Sequence, residues 1–117
     1  MKAKRILIAD DDHESRELLS IMAVRQGYDV VGAKDGADLL SLCADSSFDV
    51  IITDLMMINM NGDSAVEALK QQGCATPVIA LTGRSCHELE HMGDLFVKIF
   101  HKPCILKELF AYIATVI

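Results

Sequence analysis

Short apolar runs alternate with amphipathic stretches five times along this sequence, and that alternation constrains the fold more than any other feature. The runs are Ile6–Ala9, Val30-Val31, Val50–Ile52, Pro77–Leu81 and Leu95–Phe100. After the first run Asp12 can cap a helix in which Leu18, Leu19, Met22 and Ala23 fall at helical spacing, and Gly27 supplies the stop. Asp35-Gly36 opens a second helix ending near Ala44, and Gly62 begins a third with Ala65, Val66 and Leu69 on one face, stopped by Gly73. A fourth helix runs through about Met92. The last starts near Ile105 and turns Leu106, Leu109, Phe110 and Ile113 to the core. The strands lack clean apolar–polar alternation, as in parallel sheets covered on both faces. The pattern is (βα)5, an α/β fold. Right-handed crossovers leave few topologies, and a five-stranded doubly wound parallel sheet with helices on both faces is expected. With 117 residues, one domain over 1–117 is expected.

Charge and composition narrow the function. Seventeen acidic against eleven basic residues give a net charge of −6, which argues against sequence-independent nucleic-acid binding, a task for clustered cations. No run is long enough to span a bilayer, and no signal-peptide core follows Met1–Arg5. The expected location is the cytoplasm. Cys43, Cys74, Cys86 and Cys104 form no CxxC and read as reduced packing residues. The chain stops in helical pattern at Thr115-Val116-Ile117, as either a stand-alone module or one domain of a longer protein would.

The polar residues that carry chemistry stand at strand ends. Asp10, Asp11 and Asp12 follow the first strand, Asp54 the third, Thr82 ends the fourth and Lys102 the fifth. All fall at the C-terminal edge of a parallel sheet, where open α/β folds bind ligands. Taken singly, each has a plainer reading: a solvated turn or helix cap for the aspartates, packing for Thr82, a solvated lysine for Lys102. Together they make a crevice with an electrostatic conflict. Two carboxylates 4 Å apart repel by about 4 kcal/mol at an effective dielectric of 20, so three need a countercharge or a raised pKa. Mg²⁺ suits a few carboxylates because it keeps several waters and accepts phosphate oxygens. With Lys102 and Thr82 it would neutralise a phosphoryl group delivered to a carboxylate nucleophile.

Ile6–Asp11, Val50–Asp54 with Gly62 eight residues on, Pro77–Thr82 and Lys102-Pro103 resemble, in order and over the whole chain, the receiver domain of two-component response regulators. The resemblance implies the flavodoxin-like strand order 2-1-3-4-5. It also implies phosphorylation of Asp54 by a histidine kinase or histidine phosphotransfer protein. Mg²⁺ would be ligated by Asp11, Asp54 and the main-chain carbonyl of Met56, with Asp10 acting through a water. Thr82 and Lys102 would hold phosphoryl oxygens, and the Lys102–Pro103 bond would be cis. Such a domain is a signalling switch that catalyses only its own phosphorylation and dephosphorylation. Its output goes to a downstream effector domain or protein through the face made by the fourth predicted helix, the fifth strand and the fifth helix.

Several positions depart from the family's habit. Ile58 stands where proline is common, Gly83 where alanine is usual, and Cys104 replaces a common aromatic. Ile99 occupies the place of the aromatic that swings inward on activation. A β-branched side chain without ring or hydroxyl cannot reproduce that motion, so the change is expected to pass through the loop at Gly83. Two other functions compete. A degenerate receiver would bind partners without phosphorylation. A haloacid-dehalogenase-type phosphatase would use the D-x-D of Asp10–Asp12, but Glu14 stands where Thr or Val is wanted, no acidic pair follows Lys102, and Asp54 would have no job. His87–His91 matches H-E-x-x-H without a third ligand and reads as a solvated helix face. Met56, Met57 and Met60 read as apolar cover for the crevice rim.

Overall fold

The computed structural model describes residues 3–57, 60–83 and 95–117. Its strands are β1 (Arg5–Ala9), β2 (Asp29–Ala33), β3 (Val50–Asp54), β4 (Val78–Thr82) and β5 (Lys98–His101); its helices are α1 (His13–Arg25), α2 (Gly36–Asp45), α3 (Gly62–Gln71) and α4 (Leu106–Val116). All pairings are parallel, in the order β2-β1-β3-β4-β5. The helix expected between Thr82 and Met92 lies outside the described residues, with His87–His91 and Ile58.

Side chains alternate across the strands and so divide the apolar runs between two cores. Leu7, Ala9, Ile51, Val78 and Ala80 pack with Leu39 of α2 and Ala65, Val66 and Leu69 of α3. Ile6, Ile8, Val50, Ile52, Ile79 and Leu81 pack on the other face with Leu19 and Ala23 of α1 and Leu109, Phe110 and Ile113 of α4. Along β1, β3 and β4 both faces are buried, so alternation is invisible in their apolar stretches; β2 and β5, at the sheet edges, are partly exposed.

Helix boundaries follow local chemistry. Asp12 caps α1 by accepting from the Ser15 amide at 3.3 Å and its hydroxyl at 2.6 Å. That hydroxyl bond holds the Asp12 carboxyl below its ordinary pKa. Asp35 caps α2 by accepting from the Asp38 amide at 2.7 Å. The stops are Gly27 and Gly73, at φ 93° and 85°. Tyr28 N–H donates to the Ala23 carbonyl and Gly27 N–H to that of Val24, and Cys74 and Gly73 repeat the pattern on Leu69 and Lys70. These paired bonds satisfy carbonyls that a helix end leaves over.

Three expectations needed adjusting. The fifth strand starts at Lys98 rather than Leu95; Phe96 is buried but ahead of the ladder. Leu18 is 52% exposed although it has helical spacing, because α1 turns Leu19 and Ala23 inward. The methionines do not form one cover: Met57 is buried in the core, Met60 packs against it and Met56 is exposed. Cys43, Cys74 and Cys104 are unbridged and half-buried, as packing residues would be, and burial pushes the Cys43 thiol up to about 11.

Candidate functional site

The strand order reverses direction between β1 and β3, and the site forms at that point. Ala9 pairs with Thr53, so Asp10 and Asp54 leave adjacent strands side by side. On the far side, Thr82 pairs with His101, and Lys102 N–H donates to the Thr82 carbonyl at 2.8 Å. That bond carries the β5 register one residue past the strand and sets where the Lys102 side chain departs. The Lys102–Pro103 peptide is cis, as the resemblance implies.

The carboxylates converge. One oxygen from each of Asp10, Asp11 and Asp54 lies within 4.8 Å of the others. Lys102 Nζ donates to Asp54 Oδ2 at 2.7 Å and stands 3.7 Å from Asp10 Oδ2. Asp54 Oδ1 accepts from the Met56 amide at 3.1 Å, so both oxygens of this carboxylate are oriented. Asp10 is nearly enclosed. Its Oδ1 accepts from the Asp12 amide at 2.9 Å, while its buried Oδ2 has no hydrogen-bond partner. Thr82 is fully buried beside this edge. The structure therefore brings Asp10, Asp11, Asp54 and Lys102 together, with Thr82 on the neighbouring strand end and the Met56 main chain on the loop above. Burial works against the charged form of Lys102, but the hydrogen bond and charge of Asp54, and the charge of Asp10, hold its pKa above the ordinary value. Its ammonium form is the one present at neutral pH.

The donor set suits a hard divalent cation: it is made of carboxylate oxygens, and Asp10 carries a buried oxygen without a hydrogen-bond partner. Without a cation the cluster costs stability. Burial first, then the Asp54 and Asp11 charges, raise the Asp10 carboxyl, and the Asp12 amide and Lys102 only partly offset them. A carboxyl raised in the folded state destabilises it when ionised. That cost is absent below the ordinary carboxylate pKa, grows as pH rises toward the folded value, and is complete above it. Asp10→Asn is accordingly expected to raise Tm at pH 7 in EDTA by about 3–6 °C, the shift that roughly 1 kcal/mol gives a domain of this size. The advantage should vanish as pH falls below the ordinary carboxylate range. Thermal unfolding across pH checks this; a lower Tm for the variant at pH 7 would contradict it.

Three contacts around the site had no signal in the sequence. Arg16 Nη1 donates to the Asp10 carbonyl at 2.7 Å. Asn61, placed as the cap of α3, instead accepts from the Met57 amide at 3.2 Å and closes the loop after Asp54. Gly36 N–H donates to the Met60 carbonyl at 3.1 Å, fastening the same loop to the start of α2. Each joins segments distant in sequence or binds a main-chain group, which residue type alone does not announce.

The family model for the response regulator receiver domain matches residues 6–114. The transcriptional regulatory protein CpxR of Escherichia coli K12 is 41% identical over 80 residues, 68% of this chain and 34% of CpxR; the chain thus spans about a third of that relative's length. Among solved structures, the Francisella response regulator 1452 receiver domain superposes with TM-score 0.91 at 29% identity, covering 97% of this chain and 95% of that one. The chemotaxis response regulator CheY4 of Vibrio cholerae gives 0.90 at 28% identity, covering 99% and 100%. Sheet order, acidic cluster and matched span agree, and the chain belongs to the response regulator receiver domain family.

Proposed function

We propose that Asp54 accepts a phosphoryl group from a phosphohistidine of a histidine kinase or histidine phosphotransfer protein. Mg²⁺ would be held by Asp11, Asp54 and the Met56 main-chain carbonyl, with Asp10 as a more distant charge. The observation that carries this reading is the Lys102 ammonium seated 2.7 Å from Asp54 Oδ2 beside two further carboxylates. It marks Asp54 as the carboxylate next to which negative charge on an incoming group is best tolerated.

Mg²⁺, when bound, relieves carboxylate repulsion and adds positive charge beside the phosphoryl oxygens. The chain's residues do the rest. An Asp54 oxygen forms the new bond to phosphorus as the bond to the donor imidazole nitrogen breaks, leaving an acyl phosphate. The Met56 amide fixes the carboxylate's orientation. Lys102 shifts its hydrogen bond from the carboxylate to a phosphoryl oxygen, and Thr82 donates its hydroxyl to another. The chemistry is performed on the chain itself, whose output is a change of conformation.

Readout passes through the loop at Gly83 to the stretch from about Arg84 to Met92, which lies outside the described residues, and to the adjacent surface of β5. Ile99 is half-buried against the α2–α3 core, whereas Phe100 faces the other side, edge-on to Tyr112 with ring centroids 5.9 Å apart. Neither arrangement supplies a free aromatic at position 99. A partner would therefore read main-chain position on the face that includes β5 and α4.

Incubation with acetyl phosphate and Mg²⁺ should add one hydroxylamine-labile phosphate, and EDTA should prevent it. Amide shifts in the same sample should extend through residues 83–92 and onto the surface of β5. Absence of uptake, or uptake indifferent to EDTA, would overturn the phosphoacceptor reading; shifts confined to the pocket would overturn the readout.

A further inference from the structure

We infer that Arg16 is a positioning residue for the acidic loop, acting on the main chain rather than on any carboxylate. This inference rests on the reading of Asp10 and Asp11 as part of a Mg²⁺ site. The first turn of α1 begins directly after that loop, and Arg16 reaches back from it. Nη1 donates to the Asp10 carbonyl at 2.7 Å, and Nη2 bonds His13 Nδ1 at 3.1 Å. The Asp10 amide meanwhile donates to the Ala33 carbonyl at the end of β2, at 3.0 Å. Both polar groups of the Asp10 main chain are thus held, one by the edge strand and one by the guanidinium. The charges that act on the Asp10 carboxyl are Lys102, Asp54 and Asp11.

The stem of Arg16 has a track. It crosses β2 at Gly32, where a Cβ would stand 3.2 Å from Arg16 Cδ and 3.5 Å from both Cγ and Nε. Gly32 is exposed on the edge strand. A glycine in a strand interior weakens the strand and often marks a close approach. Here the group that approaches is the aliphatic part of Arg16. The guanidinium is a planar fork with donors at fixed angles, so it can hold a carbonyl and an imidazole at once; a lysine ammonium cannot reproduce that geometry. Outer partners that orient ligating groups commonly change metal affinity by ~10-fold or more when removed.

MgCl₂ titrations followed by calorimetry, with backbone amide shifts of Asp10–Asp12 as a second readout, test the inference in the full chain. Arg16→Ala and Arg16→Lys should each weaken Mg²⁺ binding ~10-fold and move the Asp10–Asp12 amides before metal is added. Gly32→Val leaves Arg16 unsubstituted and suits an exposed strand, but its side chain displaces the Arg16 stem. It should weaken binding ~3–10-fold in the parent chain and cause no further loss in Arg16→Ala. Asp11→Asn is the control for the site. If Asp11→Asn binds Mg²⁺ like the parent, the metal-site reading fails and this inference with it. If Asp11→Asn loses affinity while Arg16→Lys and Gly32→Val bind like the parent, or if the losses from Gly32→Val and Arg16→Ala simply add, the site reading survives and the role of Arg16 is overturned.

Discussion

Asp54→Ala is expected to abolish phosphate uptake from acetyl phosphate and Mg²⁺ while leaving the chain folded. Two other carboxylates lie within reach, so the prediction is not trivial. Asp10 is 2% exposed and has one oxygen committed to the Asp12 amide; an incoming phosphorus would have to enter a space closed by β1 and Lys102. Asp11 is exposed, but the Lys102 ammonium bonds Asp54 and approaches Asp10. Asp54, at 12% side-chain exposure, alone combines access with a cation at hydrogen-bonding distance and an amide that fixes its other oxygen. The fold should survive because the substitution removes one charge from a repelling group and leaves the β3 ladder untouched. Mass measurement on the intact chain gives the answer. Uptake at the parent rate would move the phosphoacceptor elsewhere.

Gly62→Ala should produce the largest loss of stability among single-methyl additions at the described glycines free of positive φ. Gly62 opens α3 with its Cα pressed on the end of β3: a Cβ there would overlap the Asp54 carbonyl oxygen and stand 2.8 Å from Thr53 Oγ1. Neither neighbour is a flexible chain end. The Thr53 hydroxyl donates to the same Asp54 carbonyl at 2.8 Å, and Gly62 N–H donates to the Leu55 carbonyl at 3.1 Å. The methyl must push apart the strand that carries Asp54 and the helix that closes its loop, so stability and site should fail together. Overpacking of this kind costs about 3 kcal/mol, which lowers Tm by roughly 10–20 °C in a domain of this size. Gly73→Ala is the comparison. Its Cβ would meet nothing within 4 Å, so only the left-handed conformation is penalised, at about 1–2 kcal/mol. Thermal unfolding with a Mg²⁺ titration separates the cases. A Gly62→Ala chain with parental Tm and Mg²⁺ affinity would show that this close approach is not required.

The features legible in the sequence are those with a physical signature in residue type. Buried parallel strands are apolar on both faces, so β1, β3 and β4 show as continuous runs, whereas the edge strands leave only Val30-Val31 and a stretch interrupted by Lys98. A polar residue at or just past the end of a run is conspicuous against it, as Asp10 and Thr82 are directly after their runs, Asp54 is one residue past Thr53, and Lys102 is just after β5. Strand order was different: no residue encodes that β1 lies between β2 and β3, and it came with the resemblance. Apolarity also reports burial and not pairing, so Phe96 lengthened the expected fifth strand although it is a core residue ahead of Lys98. Helical spacing gave a stripe on α1 without its direction, and Leu18 fell on the outer side. The contacts that position the site were the least legible. Arg16 on the Asp10 carbonyl, Asn61 on the Met57 amide and Gly36 against Met60 all bind main-chain groups, and the last two close a loop whose shape no side-chain pattern records.

Phosphorylation of Asp54 leaves a permanent mark when the parent chain is treated with acetyl phosphate and Mg²⁺, the acyl phosphate is reduced with borohydride, and the resulting homoserine is located by peptide mass mapping. Homoserine is expected at position 54 alone, and none when EDTA replaces Mg²⁺. Homoserine at position 10 or 11, or a phosphate that resists both borohydride and hydroxylamine, would contradict it.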